Sequence, residues 1–109
     1  MKPTCRINDR GDKEWLVDGY LHREDGPAYE SAFGTKEWFI NDIRHRTDGP
    51  AIEYHNGSKE WYLNGKYHRE NGPAVELADG YKAWYLNGKH ISCKDNEEFL
   101  RKVKLIAFL

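Results

Sequence analysis

The sequence predicts an all-β repeat protein: an elongated antiparallel β-hairpin stack with a C-terminal capping α-helix. Three observations carry that prediction. Trp15, Trp38, Trp61 and Trp84 recur at a step of 23 residues, each followed two positions on by Val17, Ile40, Leu63 or Leu86. A glycine stands four residues before each tryptophan, at Gly11, Gly34, Gly57 and Gly80. After Lys89 this pattern stops and a helical one begins. A fixed period of this length marks a repeat architecture and outweighs residue-by-residue propensity.

The elements follow in order. Residues 5–17, CRINDRGDKEWLV, read as two short strands around Arg10-Gly11. The same grammar returns over 28–40 around Phe33-Gly34, over 51–63 around Asn56-Gly57, and over 74–86 around Asp79-Gly80. Asn-Gly and Asp-Gly are strong signals for two-residue type I′ turns, which need positive φ at both central residues. This reading gives four hairpins and eight strands. Alternation puts Trp61 and Leu63 on one face, and Glu60 and Tyr62 on the other. A tryptophan–aliphatic ladder is therefore expected on one side, with Lys, Glu and Tyr on the other. A one-residue slip would invert that pattern, so the register should be well specified.

The ten-residue stretches 18–27, 41–50 and 64–73 read as connections. Each opens on a turn-forming Asp or Asn and closes on Asp/Asn-Gly-Pro, where the proline blocks ladder bonding and marks the next strand. Asp95-Asn-Glu-Glu98 reads as a capping box, with Asp95 as N-cap. The helix it opens carries Phe99, Leu100, Val103 and Ile106 on one face. The chain is thus one domain, with repeats over 1–94 and the helix of 95–109 packed on them to close the exposed end of the stack.

Composition narrows the function classes. Of 109 residues, 17 are basic and 18 acidic, so no bulk field favours nucleic acid or an anionic membrane as partner. With 39% hydrophobic residues a thick core is unavailable, whereas aromatics at 14% cover a thin sheet efficiently. Cys5 and Cys93 read as reduced thiols, which points to the cytoplasm, with a staple between the termini as the alternative. Met1 to Asp12 is polar, so no signal peptide is expected, and the apolar cluster Leu105–Leu109 is far too short to span a bilayer.

The string W-x-x-N-G-K-x-H-R-x-[DN]-G-P resembles a MORN repeat. Trp61, Asn64, Gly65, Lys66, His68 and Gly72 match its skeleton, as do Trp84, Asn87, Gly88 and Lys89. Arg23, Arg46 and Arg69 depart from it, standing where that family usually has glycine, and a proline follows the last glycine. The sequence is more similar to the divergent MORN-like "HREDGPA" repeats of small bacteriophage, giant-virus and bacterial proteins, over residues 5 to 90. The resemblance implies a single layer of β-hairpins used for protein–protein contact or, in some members, lipid contact. A bacteriophage source would imply a small accessory factor that blocks a host defence.

Two candidate sites emerge. His22, His45 and His68, each followed by arginine, invite a metal reading. If a repeat adds two strands, equivalent residues stand about 9.6 Å apart, whereas zinc ligands must all reach within about 2 Å of one point. Metal is therefore excluded there. His22, Arg23, His45, Arg46, His68 and Arg69 remain as ties between repeats, through Arg–Glu contacts to Glu30, Glu53 or Glu76 and His–Asp contacts. They also remain as a seat for an anion or nucleotide, since Arg offers a planar fork to phosphate. Residues that break the repeat form the other candidate: Tyr20, Leu21, Ile43 and Arg44 at the connection starts, and Phe33 at a hairpin turn. They read as an apolar protein-binding set on the N-terminal half, with His55 and Tyr81 as lesser members. No nucleophile–base pair, phosphate loop or metal spacing is present, so neither catalysis nor a cofactor is expected.

The expectation is a non-enzymatic binding protein that docks on a host protein or complex in the cytoplasm and blocks or modulates it. Two alternatives stay open. One is a nucleotide- or anion-sequestering protein working through the His-Arg connections. The other is a homo-oligomeric structural module, a homodimer for instance, joined through edge strands or through the helix at Phe108.

Overall fold

The computed structural model describes residues 1–106. They form the expected antiparallel stack with one terminal helix, but each repeat builds two kinds of hairpin where one was expected. Long hairpins pair β1 (Thr4–Ile7) with β2 (Lys13–Val17) and, in the second copy, β4 (Tyr29–Glu30) with β5 (Lys36–Glu37). The connections are not irregular. In the first, β3 (Tyr20–Leu21) folds back on β2, and in the second β7 (Ile43–Arg44) folds back on β6 (Phe39–Ile40) to make a small ribbon. The third copy repeats the scheme with β8 (Ile52–Glu53), β9 (Lys59–Glu60), β10 (Tyr62–Leu63) and β11 (Lys66–Tyr67). The fourth has β12 (Val75–Glu76), β13 (Lys82–Leu86) and β14 (Lys89–Ile91). Fourteen strands stand among the described residues in place of the eight expected.

The two-residue turns expected in the long hairpins lie in the connections instead. In the long hairpins Tyr54 N donates to Ser58 O at 2.9 Å and Gly57 N to Tyr54 O at 3.0 Å, so residues 55–57 bridge the strands. Only Gly57 there has positive φ, at 92°. This is a three-residue loop ending in a left-handed glycine, which leaves the preceding position free to be Arg10, Phe33, Asn56 or Asp79. The two-residue turns with both φ positive lie in the connections: Asp18-Gly19 at 52° and 83°, Asn41-Asp42 at 50° and 65°, Asn64-Gly65 at 51° and 80°, and Asn87-Gly88 at 49° and 81°. Asp42 holds its left-handed conformation while its Oδ1 accepts the Leu21 amide at 2.6 Å.

The long hairpins join edge to edge in the order β1-β2-β4-β5-β8-β9-β12-β13-β14. Register is written in charge. Lys13 faces Glu30, which faces Lys36, and the alternation continues through Glu53, Lys59 and Glu76 to Lys82. Opposite charges on directly facing positions stabilise each pair, and a slip would set lysines against the next row of residues. The lysines lie two residues before the tryptophans, so they share the tryptophan side, contrary to the expected division of faces.

The molecule measures 46 × 31 × 18 Å with a radius of gyration of 15.6 Å; a compact chain of this length would have about 13 Å. Such a slab buries little. Ala28, Ala51 and Ala74, one per Gly-Pro-Ala corner, are fully buried, joined by Ile52, Val75, Ala83, Trp84 and Phe99. On the side away from the tryptophans, tyrosines pack on one another, with the Tyr62 and Tyr67 rings stacked 4.6 Å apart and Tyr85 4.9 Å beyond Tyr67. The hydroxyls of Tyr54, Tyr62 and Tyr67 converge on Glu60 at 3.3, 3.0 and 3.3 Å. Burial pushes the Tyr54 pKa up to about 12 and also raises those of Tyr62 and Tyr67, and the charge of Glu60 adds to it.

Helix α1 (Asn96–Ile106) starts as expected: Asp95 Oδ1 accepts the Glu98 amide at 2.9 Å. The Glu98 carboxylate reaches back to the Lys94 amide at 3.4 Å, one residue before the position a capping box would use. Its apolar face is narrower than predicted. Phe99 is fully buried, while Leu100 and Ile106 are exposed. The remainder of the expected helix, with Phe108, lies outside the described residues. No helix among the described residues is long and apolar enough to cross a membrane.

Candidate protein-binding site

The His-Arg connections are the framework of the site. The Arg46 guanidinium lies 3.8 Å above the Trp38 ring, and Arg69 and Arg23 cover Trp61 and Trp15 at 3.8 and 4.1 Å. Arg46 Nε donates to Asp48 Oδ1 at 2.8 Å, and Nη1 donates to Pro50 O at 3.0 Å and Glu53 Oε2 at 2.9 Å. Arg69 repeats this with Asn71, Pro73 and Glu76, and Arg23 with Asp25 and Pro27. The bond from Arg46 holds the Asp48 pKa below the usual carboxylate value. Glycine before each proline follows from this wrap: a Cβ on Gly49 would stand 2.9 Å from the Arg46 guanidinium carbon. Arginine, Asp or Asn, glycine and proline thus form one loop wound around a cation that lids a tryptophan.

The histidines set the spacing between copies. The Nδ1 atoms of His22, His45 and His68 accept the backbone amides of Asn41, Asn64 and Asn87 at 3.2, 3.0 and 2.9 Å. The Nε2 atoms of His22 and His68 face glutamates rather than the expected aspartates, Glu24 at 3.6 Å and Glu70 at 3.4 Å, whereas Thr47 stands at the matching position beside His45. The histidines therefore serve neighbouring copies separately. Among the described residues no three His, Cys, Asp or Glu side chains group to hold a metal ion.

A second set of ties was not foreseen. Asp12 Oδ1 accepts the Ala32 amide at 2.8 Å, Thr35 Oγ1 the His55 amide at 3.1 Å, and Ser58 Oγ the Ala78 amide at 2.8 Å. The signal was present: a side-chain oxygen follows the loop glycine in three copies, and Tyr81 replaces it in the last, which has no further hairpin to tie. Asp12 also accepts the Tyr29 hydroxyl and bonds Arg10 and Asn8. Tyr29, then the Ala32 amide, hold its pKa well below the carboxylate range.

The apolar set predicted as one surface is divided among three places. Tyr20 faces Val17 and Ile43 faces Ile40, which puts both on the tryptophan side of the ribbons, 53% and 49% exposed. Leu21 and Arg44 point to the opposite side, where Arg44 lies over Phe39 and Tyr62 and bonds Glu37 at 3.0 Å. Burial opposes its charge, but Glu37 outweighs it and raises the Arg44 pKa. Phe33, 85% exposed, caps a hairpin loop at the far end of the strands. Strand alternation and strand length separate them. Tyr81 is exposed at that far end, and His55 Nδ1 is bound to Thr35 there. Cys5 on β1 and Cys93 before α1 are free thiols near opposite ends of the sheet, so the alternative staple does not form.

Between successive arginine loops run slots. The first, about 720 Å³, has a floor of Trp38, Ile40 and Ile43; the second, about 600 Å³, has Trp61 and Leu63. Both are rimmed by exposed carboxylates, Glu24, Asp25 and Asp48 on the first, Asp48 and Glu70 on the second. Comparison of the chain with family models, curated proteins and solved structures gave no match.

Proposed function

We propose that the protein is a non-enzymatic binding protein that docks on a host protein or complex and blocks or modulates it. The resemblance to MORN-like proteins of bacteriophages and bacteria supports a host partner and, for a bacteriophage source, the role of defence inhibitor; the two cysteines, read as reduced thiols, support the cytoplasmic setting. The observation that carries the binding role is the row at positions 20, 43, 66 and 89. Tyr20 and Ile43 expose apolar surface, Ile43 at the wall of an open slot, where the later copies place Lys66 and Lys89. The scaffold tolerates lysine there, so folding does not require the aromatic and the isoleucine. Exposed apolar side chains in a polar rim are what an interface buries.

The nucleotide alternative gains nothing from the geometry. A phosphate at Arg46 would have to displace Asp48 and Glu53 while passing carboxylates on the rim. The homodimer alternative is favoured by one feature, the outer edge of β1, whose residues are all exposed.

Capture of partners from host lysate on the tagged protein tests the main reading. One stoichiometric protein partner, lost with Tyr20→Asp or Ile43→Asp and kept with Phe33→Asp, is the expected result. Loss with Phe33→Asp alone would move the interface to the hairpin tips. A clean preparation would overturn the reading, and a concentration-dependent mass in light scattering would then favour self-association.

A further inference from the structure

The repeat contains its own demonstration of what a slot accepts. A third slot lies one period beyond the second, beside the loop Arg69–Pro73 and over Trp84, and there α1 fills it. Asn96 bridges its walls: Oδ1 accepts the Trp84 indole N–H at 3.0 Å, and Nδ2 donates to Asn71 O at 3.4 Å. Three residues on, one helical turn away, Phe99 is fully buried with its ring 6.4 Å from that of Trp84. Under the helix Gly72 and Pro73 are buried, whereas Gly26, Pro27, Gly49 and Pro50 are only half-buried.

The open slots keep the same polar handles unused. Among the described residues, the indole N–H groups of Trp38 and Trp61 have no hydrogen-bond acceptor. The carbonyls of Asp48 and Asp25, one and two periods before Asn71, accept no hydrogen bond there either. A peptide side-chain amide satisfies such a donor and acceptor at once, as Asn96 does; a hydroxyl or carboxylate satisfies them less well. The first slot is the better receptor, since Ile43 adds an apolar wall. Over Trp84 Phe99 takes the place that Arg46 holds over Trp38, so in the first slot an incoming ring sits beside that lid and meets Ile40, Ile43 and the free indole edge.

We propose that the first slot receives a helix of the partner protein that opens with an asparagine or glutamine followed three residues later by an aromatic, the arrangement of Asn96 and Phe99. The exposed carboxylates Glu24, Asp25 and Asp48 on the rim favour basic residues in the following turn of that helix; in α1 itself Arg101 and Lys102 pair with its own Glu97 and Glu98. This deepens the binding role proposed above and rests on it.

The test is titration of a capped peptide of residues 94–106, KDNEEFLRKVKLI, into ¹⁵N-labelled full-length protein, following the four indole N–H signals. The Trp38 signal is expected to move saturably, with Trp61 following more weakly and Trp15 and Trp84 staying put. Peptides carrying Asn96→Ala or Phe99→Ala should bind more than about tenfold more weakly, the loss expected for a buried anchor. These changes are in the peptide, so they cannot unfold the receptor. Three outcomes overturn the proposal: a still Trp38 signal at millimolar peptide, shifts indifferent to both alanine changes, or a Trp84 signal that moves as the peptide exchanges with α1. If lysate capture gives a partner sensitive to Ile43→Asp while the peptide fails, only this proposal falls. If capture fails as well, the binding role falls with it.

Discussion

Trp38 and Trp84 occupy the same place in the repeat and are covered by different chemistry. Over Trp38 lies Arg46, a cation held by Asp48, Glu53 and a proline carbonyl. Over Trp84 no arginine is available, because Ser92 stands at the matching position, and the helix supplies Phe99 instead. An interior copy can use a charged lid because its own loop provides the counter-charges that offset desolvation. The last copy lacks that loop and closes with hydrocarbon. The difference teaches that the repeat unit is completed by its successor, and that α1 stands in for a missing successor as well as shielding an edge.

Substitution of the two lids tests that equivalence. Phe99→Ala removes the one large side chain that is fully buried among the described residues and should cost about 3–5 kcal/mol in urea unfolding. Arg46→Ala removes a cation–π contact and charged hydrogen bonds from a side chain only 20% exposed, and about 2 kcal/mol is expected. An Arg46→Ala cost above that of Phe99→Ala would show the helix to be an appendage. A smaller effect sharpens the account of the arginine loop. Gly49 lacks positive φ, so its need to be glycine comes from the guanidinium 2.9 Å from a Cβ there. Gly49→Ala should cost about 1–2 kcal/mol in the wild-type chain and almost nothing in an Arg46→Ala background, a coupling readable in a double-mutant cycle. Equal costs in both backgrounds would assign the glycine to the backbone.

How much of this was legible depends on the range of the interaction. The period, the Trp-x-aliphatic alternation and the Asp95 cap are local patterns, and they placed the long hairpins and the helix. The ribbons were missed because Asn64-Gly65 and Asn56-Gly57 carry the same dipeptide, and only strand register tells a two-residue turn from a three-residue loop. The binding set was read from its departures from the repeat, which singled out Tyr20 and Ile43 but could not show that Leu21 and Arg44, one residue on, face the other way once a ribbon forms. Asp12, Thr35 and Ser58 escaped notice because their partners lie 20 residues ahead, a spacing that means nothing until two hairpins are side by side. Helix α1 was read as a cap; that it fills a slot shared with the earlier copies required the arginine loops to be seen in place.

The smallest effects concern the two polar hubs, and their signs are opposite. Asp12 is favoured as a carboxylate in the fold by Tyr29, the Ala32 amide and Arg10. Its contribution is fully present above the ordinary carboxylate pKa of about 4 and is lost as pH falls below it. Tyr54 is favoured neutral by burial and by Glu60, with its pKa pushed up to about 12. Its contribution is full below about pH 10, the ordinary tyrosine value, and is lost as pH climbs towards the raised one. Midpoints of urea unfolding, followed by tryptophan fluorescence across pH, should therefore fall at both extremes. Asp12→Asn should flatten the acid limb and leave the alkaline limb alone, and Tyr54→Phe should make only the alkaline limb shallower. Should Asp12→Asn leave the acid limb as steep as before, the tie from the first hairpin to Ala32 would be no stronger in its charged form than the uncharged Ser58 tie two copies later.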